Sequence, residues 1–213
     1  MNIDKESLSI EQKIIAGAAE LFHQYGIRSV SMDDIARHLA ISKKTIYQHY
    51  KDKNEVVQLS LKLHLEMNER EYDEIFETNH NPVEQLAQVS KCMRNDFKDI
   101  NPSLLFDMQK YHPQAWQMWL GFKNQYIKNQ VCENLKKGIK EGYYRPEIDP
   151  ETLARLRVEQ VQLAFDEKVY PREDFNLKDT QMMFFDHFVN GIVTDKGREL
   201  YNNYILEGLN EAK

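Results

Sequence analysis

The chain has 213 residues, 41% of them hydrophobic and 29% charged, so it spans one or two domains and can bury a core without disulfide or metal staples. Its 28 Lys and Arg stand against 34 Asp and Glu, and a net charge of −6 argues, over the whole chain, against a nucleic-acid partner. The N-terminus lacks the basic-then-apolar pattern of a signal peptide, no run approaches the ~20 apolar residues of a membrane span, and Cys92 and Cys132 form no C-x-x-C, so a cytoplasmic protein with reduced cysteines and no membrane partner is expected.

The first predicted helix runs from about residue 10 to 25. Ile14, Ala18, Leu21, Phe22 and Tyr25 share one face, Ser9 and Gln12 fit a capping box, and Gly26 suits the C-terminal stop. A second helix opens at Ser31, where Ser31-x-x-Asp34 is again a capping box and Met32, Ile35, Ala36 and Leu39 form the apolar stripe. It ends near Ala40. Ser42 caps a third, with Ile46 and Tyr50 as its apolar pair. Neither Gly nor Pro occurs between Gly26 and Pro82, so caps alone separate these helices.

Leu59, Leu61, Leu63, Leu65 and Met67 alternate with polar residues, the period of a strand. Residue type argues otherwise: Leu, Met, Lys and Glu form helices, and no β-branched or aromatic residue occurs from 58 to 71. A helix over about 53–78 is expected, buried on two sides as a helix joining two domains would be. Prolines at 82, 102, 113 and 150 then mark helix starts, giving helices over about 82–98, 103–111, 114–141, 150–168, 178–193 and 196–208. Gly142 is a plausible stop. Asn190-Gly191 is a hairpin signal, discounted because its upstream flank has helical spacing. The predicted fold class is all-α: a three-helix domain over residues 1–55, then a helical bundle over 56–213.

The tight connection from Leu39 to Ser42 makes the second and third helices a helix-turn-helix, whose second helix enters the DNA major groove. With Ile46 and Tyr50 inward, Gln48 points directly outward, Lys44 and Lys51 lie near it, and Thr45 and Tyr47 flank it. Lys43 reaches out from the helix start. Between Arg37 and Lys53 there are five basic residues and one acid, a local charge of +4 that leaves −10 for the rest. The acidic total hides a basic patch on the helix pair that would meet DNA.

The run from Ser31 to Val57, SMDDIARHLAISKKTIYQHYKDKNEVV, resembles the N-terminal domain of TetR-family bacterial transcription regulators, over about residues 9–58. Lys44 departs from the pattern, since the family often has Gly there. The resemblance implies that Ser31, Ser42, Lys43, Thr45, Tyr47, His49 and Lys53 hold the phosphate backbone or its neighbours. Lys44 and Gln48 are the candidates for base edges, because Lys can pair with guanine and Gln bidentately with adenine.

The resemblance further implies a double-stranded, pseudo-palindromic operator, a homodimer and a small-molecule pocket in an all-α C-terminal domain. Residues 150–168 carry two apolar stripes, and this helix with 178–193 is the expected dimer surface. Aromatic residues cluster after position 100, and Phe106, Tyr111, Trp116, Trp119, Phe122, Tyr126, Phe165 and Phe185 are candidates to line a ligand cavity. The competing role for each is core packing.

Two other classes compete. Glu20-x-x-His23 and Glu77-x-x-His80 match the Glu-His pair of di-iron carboxylate enzymes. His23, at a helix end, is instead expected as a cation suiting the helix dipole, and His80 as a loop residue. A helical interaction protein without DNA binding is the third class. No catalytic residue, metal site or cofactor is expected.

Overall fold

The computed structural model describes residues 8–78 and 81–211, with side chains through Ile205. His80, half of the second Glu-His pair, lies outside the described residues. Those described are helical apart from connecting loops and one isolated antiparallel bridge between Tyr144 and Val193. The elements are α1 (Ile10–Tyr25), α2 (Met32–His38), α3 (Lys43–His49), α4 (Lys53–Thr78), α5 (Pro82–Asp96), α6 (Leu104–Tyr111) and α7 (Pro113–Gly121). A π-helical turn (Phe122–Ile127) follows, then α8 (Lys128–Lys140), α9 (Pro150–Leu163), α10 (Leu177–Ile192) and α11 (Asp195–Glu211).

The helices group into two compact units. One comprises the chain up to Asn68 together with Asp99–Leu120, the other Glu69–Lys98 and the chain from Gly121. In the first, Ile14, Ala18 and Phe22 of α1 are buried with Ile35 of α2, Ile46 of α3 and Val56 and Val57 of α4. Tyr25, on the expected stripe of α1, is half exposed. The α5–α6 loop is tied to α1, with Asn101 N–H donating to the His23 carbonyl (2.6 Å), and α6 is tied to the loop after α1, with Arg28 N–H donating to Asp107 Oδ2 (2.9 Å). Gly26 ends α1 at φ +80°, and a Cβ there would lie 2.6 Å from Ser103 Oγ.

The second unit is built on a core that includes Val83, Leu86, Leu135, Phe185, Phe188, Val189 and Ile192. Asn190 and Gly191 lie inside α10, not in a hairpin. The period-2 leucines are in α4, where Leu61 and Leu65 are buried and Met67 is exposed. Residue type outweighed period there because side-chain entropy favours unbranched residues in a helix.

Several expectations are corrected. Pro82, Pro113 and Pro150 do begin helices, but Pro102 precedes α6 by two residues. The helix from 150 ends at Leu163, not 168. The long helix after Pro113 is interrupted by the π turn, where Phe122 stacks on Tyr126 at 5.2 Å. Lys123 in that turn is buried and donates to Glu159 Oε1 and Gln162 Oε1, both at 2.8 Å. At the end of α1 burial lowers the pKa of His23, which disfavours the expected cation, and its ring lies 6.3 Å from that of His64. Glu20 faces His38 at 3.4 Å. Among the described residues, no group of three or more His, Cys, Asp or Glu is placed to hold a metal.

Candidate nucleic-acid interface

Local chemistry sets the helix pair. Ser31 Oγ accepts from Asp34 N–H (3.2 Å) while Asp34 Oδ2 accepts from Ser31 N–H (2.9 Å), which fixes the start of α2. Ser42 Oγ accepts from Thr45 N–H at 3.0 Å and starts α3. Asp52 caps α4, its Oδ1 accepting from Glu55 N–H (3.0 Å), while Glu55 Oε2 accepts from the N–H of Lys51, one residue before the cap (2.6 Å). Each such cap contributes about 1 kcal/mol.

The turn between α2 and α3 is made by Ala40, at φ +53°. A left-handed non-glycine residue costs about 1–2 kcal/mol, whereas glycine adds about 0.5–1 kcal/mol of chain entropy to the unfolded state. Ala40→Gly is therefore expected to stabilise the protein by about 0.5 kcal/mol, and Ala40→Val to destabilise it by at least ~1 kcal/mol. Thermal unfolding of both variants checks this, and a lower Tm for the glycine variant would contradict it.

The nine residues singled out on this pair divide by what they touch. Lys44 and Gln48 are exposed and have no partner among the described residues, and Tyr47 is 48% exposed. Ser31 and Ser42 are occupied as helix caps, and Thr45 Oγ1 lies 2.8 Å from Ser42 Oγ. Lys43 Nζ donates to Asp33 Oδ2 at 2.6 Å, a contact that holds its pKa above the usual lysine value. Both groups are exposed, so water and salt weaken the pair, and a phosphate could displace the carboxylate.

His49 and Lys53 are engaged inside the unit. His49 Nδ1 lies 2.9 Å from Glu11 Oε1. Beside it, Tyr50 OH donates to the Glu11 carbonyl at 3.0 Å, so α3 is fastened to α1 by neighbouring residues. Lys53 Nζ donates to the Ile27 carbonyl at 2.6 Å and lies 5.9 Å from the Phe22 ring centroid. Burial lowers its pKa. Glu11 and Asp33 went unmarked in the sequence, since nothing local shows that α1 and α2 bring them to α3.

The eight aromatic candidates do not form one group. Phe106, Tyr111, Trp116 and Trp119 belong to the first unit, where Phe106 and Tyr111 are exposed and Lys110 Nζ lies 5.3 Å from each ring. Phe122, Tyr126, Phe165 and Phe185 belong to the second. There Tyr126 OH donates toward Asp73 Oδ1 at 2.7 Å, Phe165 meets the Phe97 ring edge-on, and Phe185 is in the core. Two cavities are lined by other residues. One, of about 60 Å³ in the first unit, is bounded by Phe22, His23, Ser60, His64, Leu104 and Met108 among others. Burial and the neighbouring His23 push His64 there down to about 4, so it is neutral at physiological pH. The other, about 290 Å³, is an open groove between α9 and α10.

Comparison with known proteins agrees with this geometry. Residues 14–59 match the model of bacterial regulatory proteins of the tetR family. The chain is 24% identical over 190 residues to the uncharacterized HTH-type transcriptional regulator YvaF of Bacillus subtilis, covering 88% of this chain and 97% of that protein. It is 25% identical over 142 residues to the HTH-type transcriptional repressor KstR2 of Mycobacterium tuberculosis, covering 65% and 71%. The solved structure of KstR2, a ketosteroid transcriptional regulator, shares the fold with a TM-score of 0.61 at 19% identity, over 91% of this chain and 98% of that one. A TetR-family regulator from Agrobacterium tumefaciens superposes with a TM-score of 0.72 at 17% identity, over 86% and 97%. With a capped helix-turn-helix presenting Lys44, Tyr47 and Gln48 outward on an all-helical scaffold, the chain carries over residues 14–59 the N-terminal domain of the TetR-family bacterial regulatory proteins and is similar along most of its length to HTH-type transcriptional regulators.

Proposed function

We propose that the chain is a ligand-responsive repressor that binds a pseudo-palindromic operator as a homodimer. DNA contacts come from residues 1–55, and ligand and dimer contacts from 56–213. The observation that carries this reading is the outward face of α3, where Lys44 and Gln48 have no partner among the described residues and stand beside the caps of α2 and α3. Two such helices would enter successive major grooves, with half-site centres roughly 34 Å apart or a multiple. Lys44 and Gln48 read base edges. Ser31, Ser42, Lys43, Thr45, Tyr47, His49 and Lys53 contact or flank the phosphates.

The dimer forms through α9 and α10. Leu156, Leu163 and Met183 are 50%, 40% and 71% exposed, an apolar surface on two neighbouring helices that a second copy would cover. The effector binds in the helical bundle, and α4, which contributes residues to both units, carries the response. Such a ligand must prefer the conformation that does not bind DNA. Equal affinity of the effector for free and operator-bound protein would contradict this.

Selection of bound duplexes from a random pool gives the half-site and its spacing, and titration against salt tests the contacts. Affinity for the selected duplex is expected to fall steeply with salt, with a slope of about −0.9 per phosphate neutralised. A flat, weak response would remove the DNA-binding reading. Gln48→Ala is expected to lose about 1–3 kcal/mol of discrimination at one base position while leaving non-specific binding intact. Lys53→Ala is expected to weaken all duplexes alike and to lower Tm as well, because the Ile27 carbonyl loses its donor. A lowered Tm with an unchanged salt slope would make Lys53 a structural residue only.

A further inference from the structure

The second unit buries a positive charge that none of its described residues balances. Arg157, on the inward face of α9 beside Ala154, Val158 and Val161, is 4% exposed. Its guanidinium lies 5.3 Å from the Phe185 ring centroid, and Nη2 lies 3.5 Å from the Met93 sulfur, a weak acceptor. Nη1 is buried with no hydrogen-bond partner, and among the described residues no carboxylate stands within ion-pairing distance. The nearby Tyr72 hydroxyl is committed to Asp96 Oδ2 at 3.2 Å. Burial pulls the guanidinium down only to about 10, so it stays charged at neutral pH. One helical turn before Phe185, Gln181 is fully buried, with Nε2 donating to the Val161 carbonyl (2.7 Å) and Oε1 unpaired.

A buried arginine is normally paired, because leaving an ion unpaired in a low-dielectric interior is among the costliest arrangements in a fold. Here the surroundings are a thioether, an aromatic face and aliphatic side chains. They suit an apolar molecule and leave the charge to be met by that molecule's own anionic end. A monoanion is favoured over a phosphate dianion, since the cost of desolvating an ion rises steeply with its charge. We propose that Arg157 is the anchor of the effector site, and that the effector is an apolar carboxylic acid whose carboxylate pairs with Nη1 while its hydrocarbon body packs against Met93 and Phe185. This deepens the ligand-responsive reading and rests on it.

The test uses the full chain without DNA. Decanoate and naphthoate are titrated calorimetrically beside decanol and naphthol, against the wild type and Arg157→Met, which keeps much of the volume and removes the charge. The wild type is expected to bind at least one acid roughly tenfold or more tighter than its alcohol, the size of one charge-assisted hydrogen bond. Arg157→Met is expected to fold with a Tm no lower than wild type, because a buried unpaired charge is replaced by an apolar side chain, and to lose the preference for the acid. Three results would each overturn the proposal: no preference for either acid in the wild type (including no binding of any probe), preference retained in Arg157→Met, or a marked fall in that variant's Tm. A second arm adds the selected operator duplex. If an acid binds through Arg157 yet leaves the operator bound, the repressor-release reading fails while the site stands. If another compound releases the operator while acids show no preference, only the site assignment fails.

Discussion

Gly138→Ala is expected to destabilise the second unit by about 3 kcal/mol, although alanine is the better helix former. A Cβ at Gly138 would sit 2.0 Å from Cδ2 and 2.1 Å from Cε2 of Tyr144, so the ring must leave its place. It has nowhere to go. Tyr144 is 1% exposed, and its hydroxyl lies 2.9 Å from the Pro82 carbonyl and 3.0 Å from Asn134 Oδ1. Asn134 Nδ2 donates to the same Pro82 carbonyl and to Gln85 Oε1, both at 2.9 Å. The backbone is pinned as well, with the Tyr143 and Tyr144 N–H groups on the Gly138 carbonyl and Arg145 N–H on the Ile192 carbonyl. Overpacking costs about 1–3 kcal/mol and unpairing the buried hydroxyl about 1–3 kcal/mol more. The gain in helix propensity returns about 1 kcal/mol. For a chain of this length the net loss corresponds to a fall in Tm of about 6–12 °C. Thermal unfolding followed by circular dichroism measures it, and an unchanged Tm would mean that the ring has room to move.

Leu156→Glu is expected to leave the protomer folded and to abolish the homodimer proposed through α9 and α10. Leu153, Leu156, Gln160 and Leu163 line one face of α9 at helical spacing, and Met183, His187 and Gly191 line one face of α10. The groove between the two helices is bounded by Leu153, Leu156, Gln160, His187 and Gly191 among others, and a Cβ on Gly191 would meet nothing within 4 Å. In a twofold dimer every substitution appears twice. Burying an unpaired carboxylate costs several kcal/mol, so two copies raise the dimer dissociation constant by roughly a thousandfold or more. In the free protomer position 156 is half exposed, and an exposed substitution there shifts stability by no more than about 0.5 kcal/mol. Light scattering is expected to show half the wild-type mass with helical content retained, and operator affinity falls because one half-site is lost. A variant that stays dimeric would place the interface elsewhere.

The first three helices were legible because their signals are local. A capping serine and the residue three positions on, or apolar residues three and four apart, interact within a single turn. The same holds for the basic patch, which lies inside one stretch of chain. The π turn carried no such signal, and neither did the ring contacts: Phe122 and Tyr126 stack on each other, Phe165 packs on Phe97, and Phe185 joins the core. Composition counts aromatic rings but does not say which of them meet one another.

The sequence by itself determined the all-helical class, the caps, the helix-turn-helix and the division of a −6 chain into one basic face and an acidic remainder. Only the tertiary structure decided which of those basic and polar groups remain free. His49 is taken by Glu11, Lys43 by Asp33 and Lys53 by the Ile27 carbonyl, whereas the side chains of Lys44 and Gln48 have no partner among the described residues. It also decided that Gly138 lies beneath the Tyr144 ring and that Arg157 meets Met93 and Phe185 instead of a carboxylate. The reason is physical. Helix formation depends on neighbours within about four positions, whereas burial and pairing depend on residues that only the folded chain brings together, such as Glu11 and His49 or Met93 and Arg157.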